Sequence, residues 1–222
     1  MKIDKGEVIR YLGGKNKKID EQMNQIIDEC IEEAKQYIKE KYTYKNFDLD
    51  KTKDGIVVKG TKLVLEGENI KKHLMNSDSC AIMVATVGVI IENKIRYYEK
   101  TNLTKAMILD SCATVAVEEL CDEVEGKIKE EAKLRGLGIT YRYSPGYGDL
   151  SINVQKEIAN IVGAYKYVGV TVTENSLLLP RKTVTAIIGY QDKEIIRVHP
   201  GCEVCNNRNN CMFRKDGNYC GK

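Results

Sequence analysis

The sequence lacks an excess of either charge. Its 35 Lys and Arg residues against 32 Asp and Glu residues leave a formal net charge of +3 over 222 residues. A dedicated nucleic-acid-binding domain carries a marked basic excess on one face. The charge balance therefore predicts no nucleic-acid partner.

The sequence also lacks a long apolar run. No stretch approaches the roughly 18 to 20 apolar residues with which a helix spans a bilayer, and residues 1–5 contain no apolar signal core. From these absences we expect no membrane partner and a cytoplasmic location.

Proline is scarce, at three residues, and the sequence has no internal repeat and no low-complexity linker. The hydrophobic content of 42% over this length is enough for a real core. We therefore expect one domain, residues 1–199, followed by a cysteine-rich C-terminal tail, residues 200–222.

The sequence does contain segments with the hydrophobic spacing of helices, which alternate with short runs typical of strands. Apolar residues at three- and four-residue spacing predict helices at 19–41, 69–76, 90–98, 102–128 and 151–162. Short β-like runs predict strands at 56–58, 63–65, 80–87, 139–143, 168–173, 183–189 and 194–198, with 191–193 as the hairpin connection between the last two. The order predicts an α+β protein with mixed helices and a largely antiparallel twisted sheet.

The eight cysteines form two groups. The first group stands singly in apolar or helical segments and is expected to be buried as small hydrophobic side chains: Cys30, Cys80, Cys112 and Cys121. The second group crowds the tail: Cys202, Cys205, Cys211 and Cys220. Four thiolates can hold zinc or an iron-sulfur cluster, although the spacing matches neither a common ferredoxin nor a zinc ribbon. The alternative is a tail whose thiols stay reduced.

The run Arg142-Tyr143-Ser144-Pro145-Gly146-Tyr147 lies where a β-like stretch gives way to a helix. An arginine offers a planar set of donors suited to a carboxylate or phosphate, and the Ser-Pro-Gly turn lets backbone donors approach a ligand closely. The run predicts a site for a small anionic group. The alternative is a surface arginine followed by an ordinary turn.

This run, the helix at 116–120 and the later segments 172–176 and 179–185 occur in an order that resembles the activation domain of cobalamin-dependent methionine synthase. The resemblance covers roughly Ala81 to Val198, and its most specific part is Arg-x-(Ser/Ala)-Pro-Gly-Tyr. It implies the activation-domain fold and a protein that binds S-adenosylmethionine and supports reductive remethylation of an oxidised cobalamin. Such a protein is a methionine synthase (methyltransferase) component or its reactivation partner.

The resemblance also implies roles for individual residues. Arg142 would anchor the carboxylate of S-adenosylmethionine, and the backbone from Ser144 to Gly146 would line its amino-acid and ribose region. Tyr147 would face the corrin, and Glu118 would meet the ligand's ammonium group, its alternative being a solvated helix acid. No catalytic residue is expected, because reduced cobalt is the nucleophile and the protein supplies positioning.

This chain departs from the family in three places, the first being Gly148-Asp149-Leu150-Ser151 where the family has a proline-rich loop that approaches the corrin. Where the family has tyrosines near the adenosine, this chain has Glu194-Ile195-Ile196, with Tyr190 as a candidate replacement. The two histidines, His73 and His199, lie outside the Asp-x-His-x-x-Gly pattern of many corrinoid carriers, and His73 is expected on a helix surface. The cobalamin is therefore expected on a separate corrinoid protein, served in trans with an electron donor. The alternative function is a metal-binding (zinc or iron-sulfur) interaction or electron-transfer module without a methyl-transfer role.

Overall fold

The computed structural model describes residues 2–13 and 19–195. The predicted cysteine-rich tail, with Cys202, Cys205, Cys211 and Cys220, lies outside the described residues, as does His199. Among the described residues, no helix is both long enough and apolar enough to cross a membrane.

The helices of the described part are α1 (Lys5–Tyr11), α2 (Glu21–Tyr37), α3 (Glu68–His73), α4 (Val89–Thr101), α5 (Leu103–Leu134), α6 (Gln155–Val162) and α7 (Ala164–Val168). A 3₁₀ turn, Ile152–Val154, precedes α6. The strands are β1 (Lys41–Lys51), β2 (Ile56–Val58), β3 (Val64–Leu65), β4 (Ser79–Thr86), β5 (Leu137–Ile139), β6 (Thr171–Val172), β7 (Leu178–Leu179) and β8 (Thr183–Asp192).

Six of these strands form one sheet in the order β3-β2-β1-β4-β8-β5, and every pairing in it is antiparallel. Strands β6 and β7 form a separate two-stranded sheet. The predicted α+β class with a largely antiparallel sheet is therefore confirmed.

Strand β4 lies in the interior of the six-stranded sheet. The apolar run at 80–87 predicts a strand buried on both faces, and all side chains from Cys80 to Ala85 are fully buried. Because neighbouring side chains point to opposite faces, Ile82 and Val84 belong to the core shared with α3, α6 and α7, whereas Ala81 and Met83 pack with α5. The sheet is thus covered by a helical layer on each face.

Helix α5 spans 32 residues and is the element that carries the predicted Glu118. The side chain of Asn102 caps it by accepting a hydrogen bond from the Lys105 backbone N–H at 3.1 Å. Its first half packs against α2 and α4 through Leu109, and its second half packs against the sheet through Leu120. The helix therefore joins the helical cluster around α2 and α4 to the core on the sheet face.

Strand β1 was not predicted from the sequence, and the predicted helix at 19–41 is wrong beyond Tyr37, where α2 ends. The sequence of β1 is rich in polar residues, and only Leu49 within it is buried. Its conformation is fixed by pairing with β4 from Lys41 opposite Thr86 to Asp48 opposite Ser79. Tertiary pairing here decides the structure, since polar residues outnumber apolar ones along the strand.

The end of the sheet also differs from prediction. The hairpin connection expected at 191–193 is wrong, because Gln191 and Asp192 still belong to β8 and pair with Gly138 and Leu137 of β5. Glu194 lies in a turn, so the strand expected at 194–198 does not begin there, and its part beyond Ile195 lies outside the described residues. Strand β8 is prolonged because β5 supplies its partner.

The expected strand at 168–173 is reduced to Thr171–Val172, because Val168 closes α7 and Gly169 follows in the left-handed conformation at φ 72°. A glycine in that conformation is a common helix terminator. The helix stop therefore overrides the alternating pattern of the sequence.

His73 is buried rather than on a helix surface, with 2% of the residue exposed. Its ring packs edge-on against Tyr141 at a centroid distance of 4.5 Å and lies 5.0 Å from Tyr143. Its Nε2 atom lies 2.9 Å from the Thr140 hydroxyl. The prediction failed because these partners come from a segment that is distant in sequence.

Candidate functional site

The segment that leads to Arg142 contains a β-bulge against β8. The Thr140 backbone N–H donates to the Gly189 carbonyl at 2.9 Å, and the Tyr143 N–H donates to the Ile187 carbonyl at 3.0 Å. Tyr141 and Arg142 thus stand opposite the single residue Ile188. A bulge of this kind bends the strand and redirects side chains.

The bulge separates the side chains of this segment onto two faces. Tyr141 and Tyr143 pack in the core on the α3 and α6 side, around His73. Arg142 points instead to α5, where its side chain keeps 20% exposure. The bulge therefore places a largely covered guanidinium on the polar face of α5.

Three carboxylates of α5 surround this guanidinium. Arg142 Nη1 lies 2.8 Å from Asp122 Oδ1 and 3.2 Å from Glu125 Oε2, and Nη2 lies 3.4 Å from Glu118 Oε2. The three acids follow one another at four- and three-residue intervals, which places them on one side of the helix. The structure thus brings together Arg142 and Glu118, the predicted cation and anion.

Burial and charge oppose each other in this cluster. Burial raises the pKa of Glu118 and of Glu125 above the ordinary carboxyl value of 4.5, and the charge of Arg142 lowers both. Since 49% of the Glu118 side chain remains exposed, solvent screens part of this effect. For Arg142, burial lowers the pKa, but the neighbouring Cys121, Glu125 and Asp122 outweigh it and the pKa is raised.

A second arginine, Arg10 of α1, acts on Glu118. Arg10 is 9% exposed and pairs with Glu7, its Nη2 lying 2.6 Å from Glu7 Oε2. Its charge helps to lower the pKa of Glu118. Arg10, Asp122 and Glu125 were missed from the sequence, although the four- and three-residue spacing of the acids with Glu118 was a visible signal.

The turn from Ser144 to Gly148 is held by its own hydrogen bonds. The Gly146 N–H donates to the Leu150 carbonyl at 2.9 Å, and the Tyr147 N–H donates to the Ser144 carbonyl at 3.2 Å. Gly146 has a φ of 89°, which favours glycine over any residue with a side chain. The Gly146 N–H, one of the backbone donors expected to line the ligand, is therefore engaged within the turn, as is the Tyr147 N–H.

Tyr147 projects from this turn with 65% of the residue exposed. The Tyr143 hydroxyl donates to the Tyr147 carbonyl at 3.1 Å, which ties the exposed residue to the core below. The turn is also anchored from its far end, because the Asp149 carboxylate accepts hydrogen bonds from the Glu68 and Asn69 N–H groups at 2.7 and 3.1 Å. The exposed aromatic ring thus stands on a fixed support.

Tyr190, the candidate replacement for an adenosine-contacting tyrosine, does not reach the surface. It is 2% exposed, and its hydroxyl donates to Asn46 Oδ1 at 2.7 Å. It contributes to the core beside α5 instead.

The four cysteines within the described residues are free and fully buried, as predicted: Cys30, Cys80, Cys112 and Cys121. Burial raises the pKa of the Cys30 thiol to about 11 and those of the other three to about 12. Such thiols are unreactive packing groups. Residues 2–13 and 19–195 contain no cluster of three His, Cys, Asp or Glu side chains arranged to hold a metal ion.

Two surface clefts lie apart from these residues. One, of about 310 Å³, is lined by residues at the starts of α2 and α5, including Asp20 and Lys105. The other, of about 210 Å³, is lined by residues including Lys156 and Tyr165. Neither cleft includes a residue of the Arg142 cluster or of the turn after it.

The fold resembles a solved structure described as the MetH reactivation domain bound to AdoHcy (S-adenosylhomocysteine), with a TM-score of 0.57. The two chains share a fold. The likeness covers 80% of this chain and 68% of that chain at 11% sequence identity, so it concerns architecture alone. No protein-family profile and no curated protein matches this sequence.

Proposed function

We propose that this protein binds S-adenosylmethionine at the Arg142 cluster and supports the reductive remethylation of a separate corrinoid protein, such as a cobalamin-dependent methionine synthase. The observation that carries the proposal is the placement of Arg142 within 3.4 Å of Glu118, at the start of the Ser-Pro-Gly-Tyr turn. A fold shared with a reactivation domain that binds AdoHcy supports it.

The charges of the cluster suit this ligand. S-Adenosylmethionine carries a carboxylate, an ammonium and a sulfonium group, hence one anion and two cations. The cluster offers one guanidinium among the carboxylates of Glu118, Asp122 and Glu125. Charge-assisted hydrogen bonds from Arg142 to the ligand carboxylate and from the ligand ammonium to Glu118 satisfy both partners.

The cobalamin in this proposal belongs to the partner. The chain has no Asp-x-His-x-x-Gly sequence with which to ligate cobalt. Tyr147, exposed and supported by Tyr143, is the side chain that we assign to the partner's corrin face. The bound S-adenosylmethionine supplies the methyl group, and the residues of this chain bind and orient it.

Calorimetry with S-adenosylmethionine on the wild type and on Arg142→Ala tests the proposal. Loss of a charge-assisted contact to the carboxylate is expected to weaken binding by about 1.5 to 3 kcal/mol, or about 10- to 150-fold. Arg96→Ala is the matched control, because Arg96 pairs with Glu92 on α4, away from the cluster. Absence of binding to the wild type would remove the proposed function.

The tail cysteines carry a second candidate role. We propose that the Cys-x-x-Cys pair at Cys202 and Cys205, with Cys211 and Cys220, holds zinc or an iron-sulfur cluster. An iron-sulfur cluster there would provide an entry point for the electron that reduces cobalt. Metal analysis of an anaerobically prepared sample tests this role, since Cys202→Ser should lower the bound metal and a metal-free wild type would refute it.

A further inference from the structure

We infer that Asp122, supported by Glu125, positions the Arg142 guanidinium so that one edge faces the ligand. The inference rests on the proposed function and assigns parts within it. Asp122 and Glu125 hold Nη1, Nη2 is left for the ligand carboxylate, and Glu118 is the acid that turns to the ligand.

The distances divide the guanidinium into two halves. Nη1 is bound twice, at 2.8 Å to Asp122 and 3.2 Å to Glu125. Nη2 has a contact of 3.4 Å to Glu118, longer than the roughly 2.7 to 2.9 Å of a good charge-assisted bond. Because the guanidinium is planar and its donors are fixed in direction, holding Nη1 also sets where Nη2 points.

The acids that contact Nη1 are also more buried than Glu118, which contacts Nη2. The side chains of Glu125 and Asp122 are 31% and 39% exposed, whereas that of Glu118 is 49% exposed. A long ion pair to a half-exposed partner contributes little to stability, because solvent screens it. Glu118 can therefore exchange Arg142 for the ligand's ammonium at low cost, while Asp122 keeps its bond.

A positioning role and a competing role of Asp122 predict opposite effects on ligand binding when its charge is removed. If Asp122 orients Arg142, removing its charge weakens the binding of a ligand carboxylate. If Asp122 instead competes with the ligand for Arg142, the same change strengthens binding. The side-chain amide of Asn retains the shape of Asp, so Asp122→Asn isolates the charge.

The experiment is calorimetry on Asp122→Asn with two ligands, S-adenosylmethionine and its decarboxylated analogue. We expect Asp122→Asn to weaken S-adenosylmethionine binding roughly tenfold and to leave the analogue unchanged, because the analogue lacks the group that Arg142 receives. Asp122→Glu should recover most of the affinity. Glu123→Gln is the control, since Glu123 pairs with Lys127 elsewhere on α5.

The possible results distinguish failure of the proposed function from failure of the positioning role. If the wild type binds no S-adenosylmethionine, the proposed function itself fails. If the wild type binds it and Asp122→Asn binds equally or more tightly, the positioning role is overturned. An equal loss for both ligands overturns it too, since that pattern indicates general disturbance. Should Asp122→Asn not fold, Glu125→Gln is expected to give the same ligand-dependent pattern, and a pattern independent of the carboxylate would refute the inference.

Discussion

The role that we assign to Arg142 depends on surroundings that its own sequence neighbours do not reveal. In sequence it is an arginine before a turn, a residue type that usually lies on the surface. In the structure, a β-bulge directs it to Glu118, Asp122 and Glu125, and 20% of its side chain stays exposed. The site therefore depends on a backbone irregularity as much as on the residue itself.

Whether each of these residues could be predicted depended on how much its own stretch of sequence reveals about its role. Arg142 was predicted from the turn that follows it, and the family resemblance then assigned Glu118 to the same ligand. Asp122 and Glu125 were not, because an acid on the polar face of a helix is normally solvated, and only the position of Arg142 distinguishes it. The prediction that His73 lies on a helix surface was wrong for the same reason, since the rings that cover it belong to the distant residues Tyr141 and Tyr143.

At this scale we predict a pH dependence of ligand binding. Burial raises the pKa of Glu118, with Arg142 opposing, so Glu118 takes up a proton at a higher pH than an ordinary carboxyl at 4.5. Protonated Glu118 cannot pair with the ligand ammonium, so S-adenosylmethionine affinity should fall as the pH is lowered from 7 towards that range.

Calorimetry across this pH range provides the measurement, and Glu118→Gln provides the control. The variant should bind more weakly at pH 7 and show a flatter pH profile. A wild-type affinity that does not change with pH would count against a role for ionised Glu118. For folding, the sign is opposite to that of a paired carboxylate: the cost of ionising Glu118 in the folded state is relieved as the pH falls through its raised pKa.

At the scale of elements, the turn and α3 depend on one another. Helix α3 begins after Gly67, which offers no side-chain cap, and the Asp149 carboxylate supplies the cap from the far end of the Tyr147 turn. This contact links the candidate site to the core around Ile70. An element of six residues has little stability without such tertiary support.

We predict that Asp149→Ala lowers the free energy of unfolding by about 1 kcal/mol, within the usual range of roughly 0.5 to 2 for a lost N-cap. Urea denaturation measures the change. Asp149→Asn is the matched control, because an amide oxygen can still accept from the Glu68 and Asn69 N–H groups and should retain most of the stability. Equal free energies of unfolding for the wild type and Asp149→Ala would show that the cap does not contribute to stability.

Strands show the limits of local pattern most clearly. The apolar run of β4, which ends just before Gly88, is typical of a strand buried on both faces, and its burial was predicted for that reason. Strand β1 has no such pattern and exists through its pairing with β4. Strand β8 extends to Asp192 because β5 pairs there, a contact that joins segments about 50 residues apart.

At the scale of the whole molecule, the sheet order explains how the site is assembled. Strand β5 follows α5 directly in the chain and pairs with β8 at the edge of the sheet, so the segment after β5 runs beside the helix that precedes it. The acids of α5 and the Arg142 turn are neighbours for this reason.

A structure of the protein with S-adenosylmethionine bound would show whether Arg142 and Glu118 hold the amino-acid part of the ligand, as we propose. We predict the ligand carboxylate at about 3 Å from Arg142 Nη2, its ammonium beside Glu118, and Nη1 still bound to Asp122. A ligand bound elsewhere, such as in the cleft lined by Asp20 and Lys105, with Arg142 keeping its contact to Glu118, would show that the Arg142 cluster is not the binding site.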